Sequence, residues 1–485
     1  MPPPPSPSPP PPPGKRYYLF GYPIAHSAAP MFHNACFESE GIDGRYELWS
    51  TSRVTHEMTE VMKRDETGGA AVLAVLAGVS VLAVLAVLAV LAVLAVLAVL
   101  AVLAVLAVLA VLSSLYYPRC TVLAVLFSLN SPSPSISPSP STSRLAASIT
   151  HRRRVTMPLK SDITEYLDEV TTESFITGAC NTVVKTRKDG RVRLVGTNTD
   201  FLGIRNSLVA ALRSQHPSLP IGLNHRYPAG QCSGAVIGGG ATTRSAVYAL
   251  WTLGMNPIFI VNRDPFEAEA IKRNFEGLKE VEGLEIVHLR STLEVDTWLG
   301  GEEVEGGGKA RARARAPGVA MIVGAIPAIH PVTLSERLVY AIVTHILTLS
   351  GIFPSSSALV HSETPLDPQG SPDPQGPHDP HGPHHTRLAL PLPTRRIFLE
   401  MPYKPRLTPL LQIATALGWH PVGGINAMIE QGLAQQRMWR AGDASLETGC
   451  ADLLDPETER RAREVIENME DIVPLDPEVD RGLKM

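Results

Sequence analysis

The stretch GAVIGGGATTRSAVYALWTLGMNPIFIVNRD, residues 234–264, decides the fold. An apolar run ending at Val236 and Ile237 reads as a strand, Gly238 to Gly240 as a tight turn, TTRSAVYALWTLG as a helix with one apolar side, and PIFIVN as a second strand. That order is the one in which a helix N-terminus and bare backbone amides face the pyrophosphate of a dinucleotide. A glycine triplet alone also occurs in ligand-free turns. Here Asn262, Arg263 and Asp264 end the second strand, where the residue touching the adenosine ribose belongs, and this favours the binding reading. Gly238, Gly239, Gly240 and Ala241 are the expected cofactor loop.

Outward from this unit the text changes character. Mixed-charge globular sequence covers residues 16–71, 155–299, 318–337 and 397–475. Between these lie a Pro-rich tail at 1–14, Val-Leu-Ala repeats followed by a Ser/Pro run across 73–154, a Gly/Ala/Arg run at 301–318, and a block at 338–396 containing PLDPQGSPDPQGPHDPHGPHH. Pro/Gly/Ser/His compositions bury too little apolar surface to offset chain entropy, so these blocks are expected to be disordered. The repeat is apolar enough to score as a membrane span. Its strict three-residue period, however, matches neither helix nor strand and reads better as a translated nucleotide repeat, so no membrane partner is expected.

The formal net charge of −4 offers no basic field for nucleic acid. Cys36, Cys120, Cys180, Cys232 and Cys450 are scattered and odd in number, with no CxxC pair; this argues against a disulfide framework or a metal site and for a cytoplasmic setting. The His-rich PHDPHGPHH reads as composition bias rather than a metal site.

Two further segments carry ionisable groups, HRRRVTMPLK (151–160) with Lys160 and LVGTNTDFLGI (194–204) with Asp200. Either residue alone is more often solvated surface. Together with YLFGYPIAHSAAPMFHN (18–34), GACNTVV (178–184), VIGGGATTR (236–244), EMPYKPRLTPLL (400–411) and GGINAMIEQG (423–432), they stand in the order of one family's motifs. The chain resembles the shikimate and quinate dehydrogenases, the fungal branch most of all.

The resemblance implies an α/β enzyme of two domains: a split substrate-binding domain and a Rossmann-type nucleotide domain. The first would comprise 15–72 and 155–200, the second 201–410, with helices from 411 to 485 returning to the first. It also implies hydride transfer between NAD or NADP and a ring hydroxyl of shikimate or quinate. Lys160 matches the family's acid/base and Asp200 its orienting partner. Ser27, Thr156, Asn181, Tyr403 and Gln431 match positions that hold or border the substrate. No oligomeric state is implied.

Departures bear on specificity. HSAAP places Ala29 where the family has a second serine, removing one contact to an acid substrate. Asn262-Arg263-Asp264 replaces Asn-Arg-Thr, and a carboxylate at 264 would repel a 2′-phosphate, a lean towards NAD. VGAIPA (323–328) stands where an Asn-Thr loop is common. Family members run GGAxVTMPLK without a break, whereas here GGAAV ends at Val72 and VTMPLK resumes at Val155. Residues 73–154 thus read as a retained intron or repeat expansion, and 338–396 as a second insertion. Two other functions compete: a binding-only regulator on the same fold, and a membrane-tethered relative.

Overall fold

The computed structural model describes residues 14–22, 24, 25, 27–72, 158–218, 225–300, 316–350 and 388–471. The Val-Leu-Ala block, the Ser/Pro run, the Pro-rich tail and the His-rich segment lie outside the described residues, as do Thr156 and Cys120.

Two six-stranded sheets organise the rest. The first is built from β1 (Lys15–Gly21), β2 (Gly44–Ser50), β3 (Thr67–Val72), β4 (Glu169–Val170), β5 (Thr182–Lys188) and β6 (Arg191–Thr197), in the order β2-β1-β3-β5-β6-β4. Its pairing is mixed: β1 runs parallel to β2 and β3, while β5 is antiparallel to both β3 and β6. Tyr17 to Phe20 are buried on both faces of β1, as a continuous apolar run requires. Helices α1 (Ala29–Ser39), α2 (His56–Lys63), α3 (Pro158–Asp162) and α4 (Thr172–Thr177) belong to this half.

Helix α5 (Thr199–Gln215) leads to the second sheet. There the quoted stretch forms β8 (Ser233–Ile237), α6 (Ala241–Thr252) and β9 (Ile258–Val261), as its pattern predicts. After them come α7 (Pro265–Phe275), β10 (Ile286–His288), α8 (Thr292–Leu299), β11 (Val319–Gly324), α9 (Leu334–Thr348), β13 (Ile397–Glu400), α10 (Pro409–Ala416) and β14 (His420–Val422). All pairs are parallel, in the order β10-β9-β8-β11-β13-β14. Counted along the chain this is 3-2-1-4-5-6, the doubly wound dinucleotide-binding order, whose ligand crevice opens where the order reverses, between β8 and β11. Short strands β7 (His225–Arg226) and β12 (Leu388–Ala389) pair beside it.

The last helices, α11 (Gly424–Ala441), α12 (Leu446–Cys450) and α13 (Pro456–Glu467), return to the first sheet. The Trp439 indole donates to the Val183 carbonyl on β5 at 3.0 Å. Gly203 lets α11 lie close on α5: a Cβ there would stand 2.4 Å from the Ala427 carbonyl oxygen.

Two expectations change. The return to the first half starts later than residue 411, because α10 and β14 still belong to the second sheet. The second insertion is shorter than 338–396, because Leu338 to Thr348 are helical. In α9, Thr333 and Glu336 form a capping box, and Val339, Ile342, Val343, Ile346 and Leu347 are buried. Each such side chain contributes roughly 1.5–3 kcal/mol on burial, enough to order a segment with no charges of its own. At the far end of the block, Arg396 lies over the Trp419 ring at 4.2 Å. No helix among the described residues is long and apolar enough to cross a membrane.

Candidate active site

Lys160 sits in the last turn of α3, anchored by fully buried Leu159 beside it and by its own carbonyl, which accepts from the Cys180 N–H at 2.8 Å. That bond brings the GACNT segment alongside the lysine. Asp200 enters from the first turn of α5, whose N-cap Asn198 accepts from the Phe201 N–H. The Lys160 ammonium donates to Asp200 Oδ2, and Asn181 Nδ2 donates to Asp200 Oδ1 at 2.7 Å. Lys160 and Asp200 are 4% and 7% exposed, so the pair stands where charges are held by bonds rather than by water. Three residues read from separate motifs thus meet directly.

Ser27, Tyr403 and Gln431 lie on or beside α1 and α11. Ser27 is half-buried, and its Oγ accepts from the Ala29 N–H at 3.3 Å at the start of α1. Tyr403 packs against the cluster of Ala28, Phe32 and Ile429. Burial raises its hydroxyl's pKa, and a bond to the Ala28 backbone partly offsets the rise. Gln431 is half-buried on α11 with its stem towards Gly203, one turn beyond Asp200 on α5.

The glycine turn opens a cavity of about 330 Å³ lined by Gly238, Gly239, Gly240, Ala241, Asn262 and Arg263, with Ala325 to Pro327 from the turn after β11 opposite. Gly238 has φ +132°, a region side chains rarely adopt. At Gly239 a Cβ would fall 2.1 Å from Glu267 Oε2 and 2.4 Å from Asn262 Nδ2. Gly240 caps α6 without a side-chain bond, leaving first-turn N–H groups to a ligand. Thr243 Oγ1 is buried beside the turn with no partner among the described residues. A turn without side chains, open helix amides and an orphaned hydroxyl fit a dinucleotide's phosphates.

Asp264 departs from its expected place. Its carboxylate accepts from the Phe266 N–H at 2.8 Å as the N-cap of α7, and it does not line the cavity. The carboxylates that do line it are Glu267, bonded to Asn262 at 2.9 Å, and Glu336, paired with Arg263 at 2.7 Å. Backbone N–H groups of Thr333 and Val332, with Arg263 adding to them, hold Glu336 below the usual carboxylate range.

Sequence reasoning passed over four residues. Arg244 Nε donates to the Thr177 carbonyl at 2.6 Å and its Nη2 to that of Gly178 at 3.2 Å, while Asn198 donates to Ser245 Oγ at 2.9 Å. These bonds tie α6 to both segments that carry the Lys160 centre. Glu400 ends β13 at 1% exposure; Thr408 Oγ1 donates to its Oε2 at 2.9 Å, and its Oε1 has no partner among the described residues. Burial pushes its carboxyl up to about 8. All four lie inside stretches quoted above, which is the signal the sequence offers.

A parallel, doubly wound sheet joined to a mixed sheet whose helices carry a buried lysine–aspartate pair defines a two-domain α/β protein of the Rossmann class. The family model of the shikimate dehydrogenase substrate binding domain matches residues 19–73. The chain is 24% identical over 425 residues, 88% of its length, to the pentafunctional AROM polypeptide of Schizosaccharomyces japonicus, and spans only 17% of that polypeptide. The solved dehydroquinate dehydratase and shikimate dehydrogenase from S. pombe AroM shares 19% identity at a TM-score of 0.50, over 94% of this chain and 53% of that one. Shikimate 5-dehydrogenase from Thermus thermophilus, in complex with NADP(H) and shikimate, gives 19% identity and a TM-score of 0.44, over 93% and 99% of the two chains. The chain is thus similar to the shikimate dehydrogenase substrate binding domain over residues 19–73 and to the AROM polypeptide over most of its own length.

Proposed function

We propose that this protein is a nicotinamide-dependent dehydrogenase acting on a ring hydroxyl of shikimate or quinate. One observation carries the reading: the Arg244 and Asn198 bonds fix the glycine-turn helix against the segments bearing Asn181 and Asp200. The cofactor cradle and the ion pair are thereby built as neighbours.

A nicotinamide bound on Gly238 to Ala241 supplies a hydride acceptor or donor. Lys160, ion-paired with Asp200, is placed to give a proton to a keto oxygen; in the oxidative direction the same nitrogen, having first released a proton to solvent, takes the hydroxyl proton as the C–H departs as hydride. Asp200 holds the ammonium in place, and Asn181 holds Asp200. Ser27, Tyr403 and Gln431 are assigned to the substrate's carboxylate and hydroxyls, with Thr156 in the same role from outside the described residues. The lean towards NAD loses its ground, since Asp264 is spent on capping α7. Arg263 is the residue on which the choice between a 2′-hydroxyl and a 2′-phosphate turns, and Glu336 holds it.

The test is reduction of NAD and NADP by the purified chain with shikimate and with quinate, against Lys160→Ala. Turnover that depends on Lys160 supports the proposal. Binding of shikimate without turnover by the unaltered chain marks a binding-only regulator instead.

A further inference from the structure

The bonds that hold Asp200 continue inward beyond the residues assigned to the reaction. Asn181 Oδ1 accepts from the Thr199 N–H at 2.7 Å and from the Thr182 and Thr199 hydroxyls at 2.9 and 3.1 Å. A backbone N–H can only donate, so the amide oxygen must face Thr199 and the NH₂ must face Asp200. Gln435 Nε2, on α11, donates to the same two hydroxyls at 2.9 and 3.2 Å; these stand 2.9 Å from each other, so one can pass its proton to the other and at least one proton goes on to Asn181 Oδ1. With its NH₂ used this way, Gln435 offers Oε1 to His33 Nε2 at 3.1 Å, and His33 must donate there. His33 Nδ1 then accepts from Gln436 Nε2 at 2.9 Å.

The bonds therefore run from Gln436 to His33, to Gln435, to the threonine pair, to Asn181, to Asp200, with only the bond between the two threonines free to point either way. All the side chains in it are buried. The His33 ring is stacked on Tyr46 at 4.4 Å and tilted against Trp439 at 5.1 Å, so it cannot turn over without disturbing both. Burial pushes its pKa down to about 3, with the bond to Gln435 opposing, and the ring stays neutral. A protonated ring would set a second N–H against the Gln436 NH₂.

We propose that His33 and Gln435 are positioning residues of the Lys160–Asp200 pair, acting through a one-directional hydrogen-bond relay that fixes the rotamer of Asn181 and so the carboxylate that holds the catalytic ammonium. The proposal rests on the dehydrogenase reading for its kinetic consequence. Its structural content stands apart from that reading.

The experiment uses the full chain. Gln435→Met keeps the volume and removes both links; kcat for shikimate or quinate oxidation is expected to fall about 10- to 100-fold with KM within about twofold. In a Lys160→Ala background the same change is expected to cost less than about twofold, because the group it positions is gone. Thr182→Ser with Thr199→Ser, which keeps both hydroxyls, should keep near-normal kcat, where the paired Val changes do not. An equal kcat loss with and without Lys160, or a change in melting temperature alone, overturns the proposal. Nitrogen-15 NMR of the His33 ring gives a readout that needs no activity. A neutral Nε2–H ring between pH 5 and 8 is expected, and an Nδ1–H tautomer or titration in that range overturns the relay. If the unaltered chain turns over neither substrate while the ring is as expected, the dehydrogenase reading falls and the relay stands.

Discussion

The two halves of the site handle polarity in opposite ways. Around Asp200 in the first half, buried polar groups are bonded to one another, from Lys160 to Gln436. In the second, Thr243 Oγ1 beside the glycine turn and Glu400 Oε1 beside Gly324 are buried without partners among the described residues, and Arg263 meets Glu336 at the surface. A closed network fixes a charge in place before any ligand arrives. Open valences hold bonding capacity in reserve for one.

Four changes test this contrast. Lys160→Ala should have the largest effect, lowering turnover by about 10²–10⁴-fold. It should also cost roughly 3–5 kcal/mol of stability, since it leaves a buried carboxylate unpaired; steady-state kinetics with denaturant unfolding reads both. A small loss would mean that water reaches Asp200 and that the network is not closed.

Glu400→Gln comes next. The folded carboxyl, raised to about 8, stays protonated over a range where the unfolded chain has already ionised. Stability from this group is therefore complete below the unfolded carboxyl's pKa of about 4.3 and declines as pH rises towards 8, by up to about 1.4 kcal/mol per unit. Melting temperatures across that window should flatten in the variant, which should be the more stable protein at pH 8. An unchanged slope would mean that Glu400 is not a neutral, half-bonded group.

Gly239→Ala should weaken dinucleotide binding about tenfold, or ~1.4 kcal/mol, since the Cβ displaces Glu267 and Asn262. Calorimetric titration with NADH and NADPH checks it, and retained affinity would show the cradle to be looser than the relay. Glu336→Gln should do least: Arg263 is 60% exposed at its side chain, so its ion pair contributes about 0–1 kcal/mol. Freeing Arg263 should still move the NADP:NAD ratio of kcat/KM towards NADP by a fewfold, and a shift towards NAD would contradict its place at the ribose end.

What the sequence disclosed follows from how local each signal is. The β8–α6–β9 unit was legible because its strand, turn and helix lie within one short stretch. Lys160 and Asp200 became legible through motifs rather than pattern, since nothing in the spacing shows that α3 and α5 converge. Asp264 was misread because Asp followed by Pro265 is equally a helix start, and that role won. The α9 segment was cut short although Val339, Ile342, Val343, Ile346 and Leu347 repeat at helical spacing, since its neighbours in the chain are Pro/Gly text. His33 and Gln435 stand 402 positions apart, and only the return of α11 makes them partners.

Among the described residues, β3 meets β5 through Gly69–Val184, Ala70–Val183 and Ala71–Thr182. The molecule can thus be regarded as a heterodimer whose two polypeptides share one peptide thread: a front piece ending at Val72 and a back piece starting at Pro158, with the β3–β5 seam as their interface. Co-expressed as separate fragments, the two should assemble along that seam, so that the gene's longest repeat would be dispensable to the architecture it interrupts.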